Sequence, residues 1–122
     1  MLCQFTFKNY RSYKEETTIE MHAENISEFE ETLIESEKDE KKYLPVSVIY
    51  GPNAGGKSNA LEALVCVNVT VVSPILMVKS KKKIESFKTV PYKFSDKNEP
   101  TDFELFYRKN KEEYRYNISF LK

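Results

Sequence analysis

All three glycines of this 122-residue chain fall within eight positions, Gly51-Pro52-Asn53-Ala54-Gly55-Gly56-Lys57-Ser58, and that clustering restricts the fold more than any other feature. Glycine is needed where the backbone turns left-handed or approaches another group closely. A turn that holds every glycine of the chain is therefore built for close approach. Its flanks agree. Pro45-Val46-Ser47-Val48-Ile49-Tyr50 is a short, almost wholly apolar run rich in β-branched residues, the pattern of a strand buried on both faces. After the loop a helix is expected from about Lys57 to about Val72, with Pro74 ending it. Val65, Val67, Val69 and Val71 alternate in a more strand-like way, but a helix N-terminus is what such a loop needs behind it.

The arrangement of strand, glycine loop, Lys-Ser and helix suits one kind of ligand, a polyphosphate with a cation (a Walker A pattern). Several negative charges in a small volume require many short donors converging on it. The backbone N–H groups of roughly Asn53 to Ser58 can turn inward as an anion nest, and the helix N-terminus adds free donors and the positive end of its dipole. Lys57 would bring a mobile charge to the β- and γ-phosphates, and Ser58 a hydroxyl to Mg2+. The candidate binding set is Asn53, Ala54, Gly55, Gly56, Lys57, Ser58 and the adjoining Asn59, with Ser58 as the metal ligand. A phosphate loop reads phosphates, so these residues leave the base open.

The rest of the chain divides by charge and by periodicity. Leu2, Phe5 and Phe7 are apolar while Gln4, Thr6 and Lys8 occupy alternate positions, which predicts a strand. Asn9–Tyr13 is a polar turn and Thr17–Met21 a returning strand. An acidic insert at about 22–42 carries eight acids within 22–40 against Lys38. Ser27 with Glu30 three residues on makes a capping box there, so a short helix docked through Phe29, Leu33 and Ile34 and a solvated loop are both open. A basic linker at about 79–93 carries six lysines against Glu85, with a short strand or extended piece around Ser86–Phe94. Residues 101–121 read as an antiparallel hairpin joined at Lys109–Glu112, with Phe103, Leu105 and Tyr107 on one face and Tyr114, Tyr116, Ile118 and Phe120 on one face.

Size, 40% apolar content, eight Tyr and eight Phe bound the chain to one folded domain with a modest core. Nineteen basic and nineteen acidic residues cancel, so net charge points to neither a nucleic acid nor a membrane. Cys3 and Cys66 match no metal spacing and are expected as buried free thiols of a reducing compartment. The apolar stretch Ala60–Val78 contains Glu62, Asn68 and Pro74, which favours a buried helix over a membrane span. No leader pattern opens the chain, and a cytoplasmic location is expected.

Taken together, the aromatic first strand, Asn9-Tyr10-Arg11-Ser12-Tyr13, the returning strand and the loop written Tyr-Gly-Pro-Asn-Ala-Gly-Gly-Lys-Ser-Asn-Ala-Leu-Glu-Ala-Leu resemble the start of the ABC-type ATPases of the SMC, RecF and OLD group. They are most similar to the prokaryotic AAA-labelled, OLD-like ATPases of abortive infection and anti-phage defence. Pro91-Tyr92-Lys93-Phe94 and the 101–121 hairpin also fit. The resemblance implies an α/β (α+β) P-loop NTPase fold, with residues 1–122 as the first lobe, in which an antiparallel β-layer lies beside the phosphate-loop strand and helix. It implies ATP with Mg2+ as the ligand, a phosphate contact from Arg11, and Asn53 near the γ-phosphate. It also implies a head-to-head homodimer in the full-length protein, with a nuclease or DNA as possible partner. Gly55, where relatives commonly carry serine, and Ala60, often leucine, depart from the pattern.

Hydrolysis in that group also needs an apolar strand ending in Asp-Glu and a Leu-Ser-Gly-Gly-type signature. Neither follows Ser58: Asp102 and Glu104 lie in the hairpin, and no glycine follows Gly56. The expectation is an incomplete fold, an N-terminal fragment that binds ATP without turning it over. A stand-alone nucleotide-binding or scaffold module is the non-enzyme alternative. A small phosphotransferase is a weaker one, since two strands and an acidic insert precede the loop. The Lys79–Lys83 run is either a solvated loop or a contact for DNA phosphates.

Overall fold

Alternating side chains lay down the first strand, β1 (Leu2–Lys8), with Cys3, Phe5 and Phe7 buried. The alternation is unbroken, so Cys3 shares the inward face with Phe5 and Phe7 while Leu2, grouped with them by composition, falls an odd number of residues away and is half-buried. The computed structural model describes residues 1–24, 28–36, 41–80 and 89–121, the side chains of 75–80 excepted. β2 (Thr17–Glu20) returns antiparallel beside β1, with Phe5 opposite Ile19. On its other edge β1 pairs with a strand from the far end of the chain, Phe5 standing opposite Leu105.

The expected hairpin is present, and further elements separate it from β2. In the acidic insert, β3 (Ile34–Glu35) pairs with β4 (Lys42–Tyr43), and α1 (Lys57–Ser80) follows the glycine loop. Then β5 (Thr101–Lys109) and β6 (Glu112–Phe120) pair antiparallel, turning at Asn110 and Lys111. Both turn residues have positive φ, 53° and 67°, the signature of a tight hairpin turn whose twist matches its strands. The four-stranded sheet runs β2-β1-β5-β6, so the first strand of the chain is an inner one.

α1 covers one face of this sheet. Ala60, Ala63, Cys66 and Val67 recur at helical spacing and pack with Phe5, Phe7, Tyr10 and Phe103. Small side chains on the helix let large rings on the sheet fill the interface; Phe7 meets Tyr13 edge-on at 4.9 Å and Tyr10 meets Phe103 at 5.5 Å. The expected buried helix needs correction, because burial is confined to that stripe. Leu61 and Val65 on other faces are more than half exposed. The helix also runs past Val72 to Ser80, with Pro74 inside it. Proline's fixed φ is itself helical, so the residue removes one N–H, at a cost of about 3 kcal/mol, without forcing a stop. No helix among the described residues is long and apolar enough to cross a membrane.

Two further expectations are corrected. Residues 45–50 do not form a strand buried on both faces: Val46, Val48 and Tyr50 are exposed, Tyr50 at 90%, and the run pairs with no strand among the described residues. Burial on both faces requires neighbours on both sides, and the four strands of the sheet lie elsewhere. In the acidic insert, where a short capped helix and a solvated loop are both open from sequence, the described residues hold only a 3₁₀ turn, Glu30–Thr32, with Phe29 left-handed before it and 70% exposed. Ser27 lies outside the described residues, and Glu30 pairs with Lys42 at 2.6 Å instead of closing a capping box. Ile34 is exposed as well, and of the three residues expected to dock only Leu33 is partly buried. Of the piece expected at 86–94, the described part is extended and then turns, with the Ser95 amide bonded to the Tyr92 carbonyl. The side chains of Lys79–Lys83 lie outside the described residues, and with them the DNA-contact expectation.

Cys3 and Cys66 are free and buried, as expected. Burial pushes both thiols above their ordinary value of 9.0 and pushes the Tyr10 phenol above 10.0. A folded-state pKa above the unfolded one means that the fold favours the protonated form. That contribution is complete below the unfolded values and is lost as pH rises through the folded ones. The urea midpoint is therefore expected to hold steady from about pH 7 to 8.5 and to fall between about pH 9 and 11. A midpoint unchanged up to pH 11 would contradict this.

Candidate functional site

The glycine loop owes its shape to alternating handedness. Ala54 at φ 64° and Gly56 at φ 85° are left-handed, and Gly55 between them is not. Such alternation turns successive N–H groups toward one side. One donor is consumed internally, since the Gly55 amide bonds to the Pro52 carbonyl at 3.2 Å; the inward set expected over Asn53–Ser58 is smaller by that group. The helical ladder begins with the Ala60 amide on the Gly56 carbonyl at 3.1 Å. The amides of Lys57, Ser58 and Asn59 therefore precede the first donor of the ladder and have no carbonyl of the helix to bond, the usual state of a helix N-terminus.

Charge placement at this terminus is the reverse of what helix stability asks for. No acid lies in the first turn, and Lys57 opens it, so a cation sits at the positive end of the dipole. Its ammonium folds back onto two loop carbonyls, Gly51 at 2.8 Å and Pro52 at 2.7 Å. Ser58 beside it is exposed. An anion with a divalent ion fits this donor set. The amides and Lys57 answer the negative charge, the Ser58 hydroxyl is a hard oxygen donor suited to Mg2+, and the missing side chain at Gly56 makes room for Ser12 and Tyr13 of the neighbouring turn.

The turn after β1 lies against the loop. Tyr10 and Tyr13 exchange both backbone hydrogen bonds at 2.8 Å, closing a tight turn whose Arg11 has φ 50°. The Tyr13 hydroxyl donates to the Gly56 carbonyl at 3.3 Å, and Asn59 Nδ2 donates to Ser12 Oγ at 2.8 Å. Arg11 Nη2 lies 2.7 Å from Glu62 Oε2, an oxygen shielded from solvent that has no well-aligned hydrogen bond, so the contact is an ion pair. Arg11 Nε also donates to the Tyr10 hydroxyl at 3.3 Å. Asn9 anchors the turn from beneath. Fully buried, it donates to the Glu99 and Pro100 carbonyls at 2.9 and 3.1 Å and accepts from the Tyr92 amide at 3.0 Å.

The structure thus gathers Asn53, Ala54, Gly55, Gly56, Lys57, Ser58 and Asn59 into one loop and helix start. Arg11 stands on the adjacent turn, engaged with Glu62 and Tyr10. Sequence reading gave Asn9–Tyr13 as a polar turn and as part of the resemblance, with Arg11 as a phosphate contact, and missed Ser12, Tyr13 and Glu62 as neighbours of the loop. The signal available was the turn's density of side chains that both donate and accept.

A search of curated proteins returned no match for the chain. A family model described as AAA domain matches residues 4–121. The match takes in β1 from Gln4 onward, the 9–13 turn, the glycine loop, α1 and all of the β5–β6 hairpin. On a match of that extent, the chain belongs to the AAA domain family.

Proposed function

We propose that the 51–58 loop binds ATP with Mg2+, as the nucleotide-binding part of an ATPase-like module. One observation carries the reading: Lys57, the first residue of a helix whose first turn has no acid, with its ammonium turned onto the Gly51 and Pro52 carbonyls. A lysine there costs helix stability through the dipole, and a phosphate accounts for its presence. Lys57 would exchange two neutral carbonyls for charged oxygens, a stronger hydrogen bond. The amides of 57–59 would bind the same oxygens, and Ser58 would hold the metal. Membership in the AAA domain family supports nucleotide binding in general.

The finer reading rests on the resemblance of Asn9–Tyr13 and the loop to the SMC, RecF and OLD-like ATPases. In it, Arg11 leaves Glu62 for the phosphates, and ATP is hydrolysed by a larger head-to-head dimer that serves phage defence or DNA metabolism with a nuclease or DNA as partner. Water activation would then fall to an acidic residue outside the loop.

Titration calorimetry of the chain with ATP and Mg2+ tests the reading. Lys57→Ala is expected to weaken binding at least about 30-fold, the loss of roughly 2 kcal/mol of charge-assisted bonding. Its thermal midpoint should stay near that of the wild type, because the lysine's bonds are exposed. No binding by the folded wild type, or equal binding by the variant, would sink the proposal.

A further inference from the structure

Three consecutive residues of the turn meet the start of α1 in reversed order. Tyr13 touches Gly56, Ser12 touches Asn59 and Arg11 touches Glu62, so each step back along the turn moves three residues up the helix. Positions three apart lie on one side of a helix, and the turn therefore lies along that side as a brace. It is fixed at its own base by the paired Tyr10–Tyr13 hydrogen bonds and by the Tyr13 ring against Phe7.

From this register we infer that Tyr13 and Ser12 are positioning residues for bound triphosphate, acting through the loop and not by touching the ligand. The inference rests on reading the loop as an ATP site. Its physical basis is the planarity of the peptide group. The carbonyl that Tyr13 holds belongs to the same peptide unit as the Lys57 N–H, and in a trans peptide the two point in opposite directions. Holding the Gly56 oxygen toward the sheet therefore aims the Lys57 N–H away from it. The Ala60 amide pulls on the same oxygen at 3.1 Å, so the plane is held by two donors, one from the helix and one from β1's turn. Ser12, by accepting from Asn59, fixes the helix one turn further on. A donor whose direction is set before the ligand arrives loses less freedom on binding, which is how a group that never meets the ligand raises affinity.

The deciding variant is Tyr13→Phe, which keeps the ring on Phe7 and removes only the hydroxyl. Affinity for ATP with Mg2+, measured by calorimetry, is expected to fall about 3- to 10-fold through the lost orientation of the loop donors, with the thermal midpoint no more than about 6 °C below wild type, the cost of one neutral hydrogen bond to the fold. In 15N-labelled protein the free-state order parameter of the Lys57 amide should fall in the variant while those of β1 and β5 hold, a loosening confined to the loop that a purely structural role for the hydroxyl would not produce. Ser12→Ala is expected to lose affinity about 2- to 5-fold on the same grounds. Wild-type affinity in Tyr13→Phe overturns the inference, as does an affinity loss accompanied by a midpoint fall beyond about 6 °C or an unchanged Lys57 order parameter. If folded wild type fails to bind ATP at all, it is the reading of the loop that fails. If wild type binds, Lys57→Ala does not, and Tyr13→Phe matches wild type, only the positioning role falls.

Discussion

Gly56→Ala is expected to abolish measurable binding of ATP with Mg2+ while leaving a chain that still folds. Two costs converge at this position. The backbone sits at φ 85°, a conformation that costs a residue with a Cβ on the order of 1–2 kcal/mol. The added carbon would also stand 3.0 Å from Ser12 Oγ and 3.1 Å from the Tyr13 hydroxyl, tighter than ordinary van der Waals contact. The two side chains must give way by a few tenths of an ångström, which strains their bonds to the Gly56 carbonyl and the Asn59 side-chain amide. Binding then loses both the shape of the loop and its support. An affinity loss of at least about 30-fold is expected, with roughly 2 kcal/mol off the unfolding free energy. Calorimetry and a urea titration check the pair, and an alanine variant that binds within about threefold of wild type would show that the loop is not held as described.

Asn9→Ala is expected to be the more damaging change to the fold. Asn9 is fully buried, and its amide satisfies the carbonyls of Glu99 and Pro100 and the N–H of Tyr92. Truncation strands three backbone groups at once, each costing about 1–3 kcal/mol when shielded from water. The residue also holds φ 52°, which asparagine tolerates better than alanine. The terms share one site and do not add in full; about 4 kcal/mol is expected, a midpoint fall of roughly 15 °C for a chain of this size. Circular dichroism on heating measures it, and a fall of less than about 3 °C would contradict the account. The Thr101 hydroxyl, bonded to the Asn9 carbonyl at 2.7 Å, keeps its partner in the variant and sets a floor under the damage.

What could be read beforehand was local. The β5–β6 hairpin follows from two alternating runs and a short connection, and β1 from the alternation of Phe5 and Phe7 with Thr6 and Lys8. The start of α1 follows from the loop before it. Residues 45–50 misled because β-branched composition reports what a segment tolerates, while burial depends on which strands come to lie beside it. Pro74 misled because the rule that proline ends helices concerns one missing donor, and a long helix with one packed stripe survives that loss. The brace of Tyr13 on Gly56 joins residues 43 positions apart, and the Asn9 bonds span 83 to 91. No periodicity encodes such contacts, although the residues that make them stood in plain view as one turn.

The position of β1 inside the sheet bears on when this protein becomes competent during its synthesis. Phe5 and Leu105 are strand neighbours, and the buried amide of Asn9 closes only on the backbone of residues 92 to 100. The glycine loop is synthesised before either partner exists. A nascent chain that has made its loop and helix still lacks the inner-strand partner and the buried contacts that hold the turn against them. Because the first strand waits for the β5–β6 hairpin, which ends at Phe120, the loop, complete at Ser58, waits for 62 more residues before it takes up its working shape.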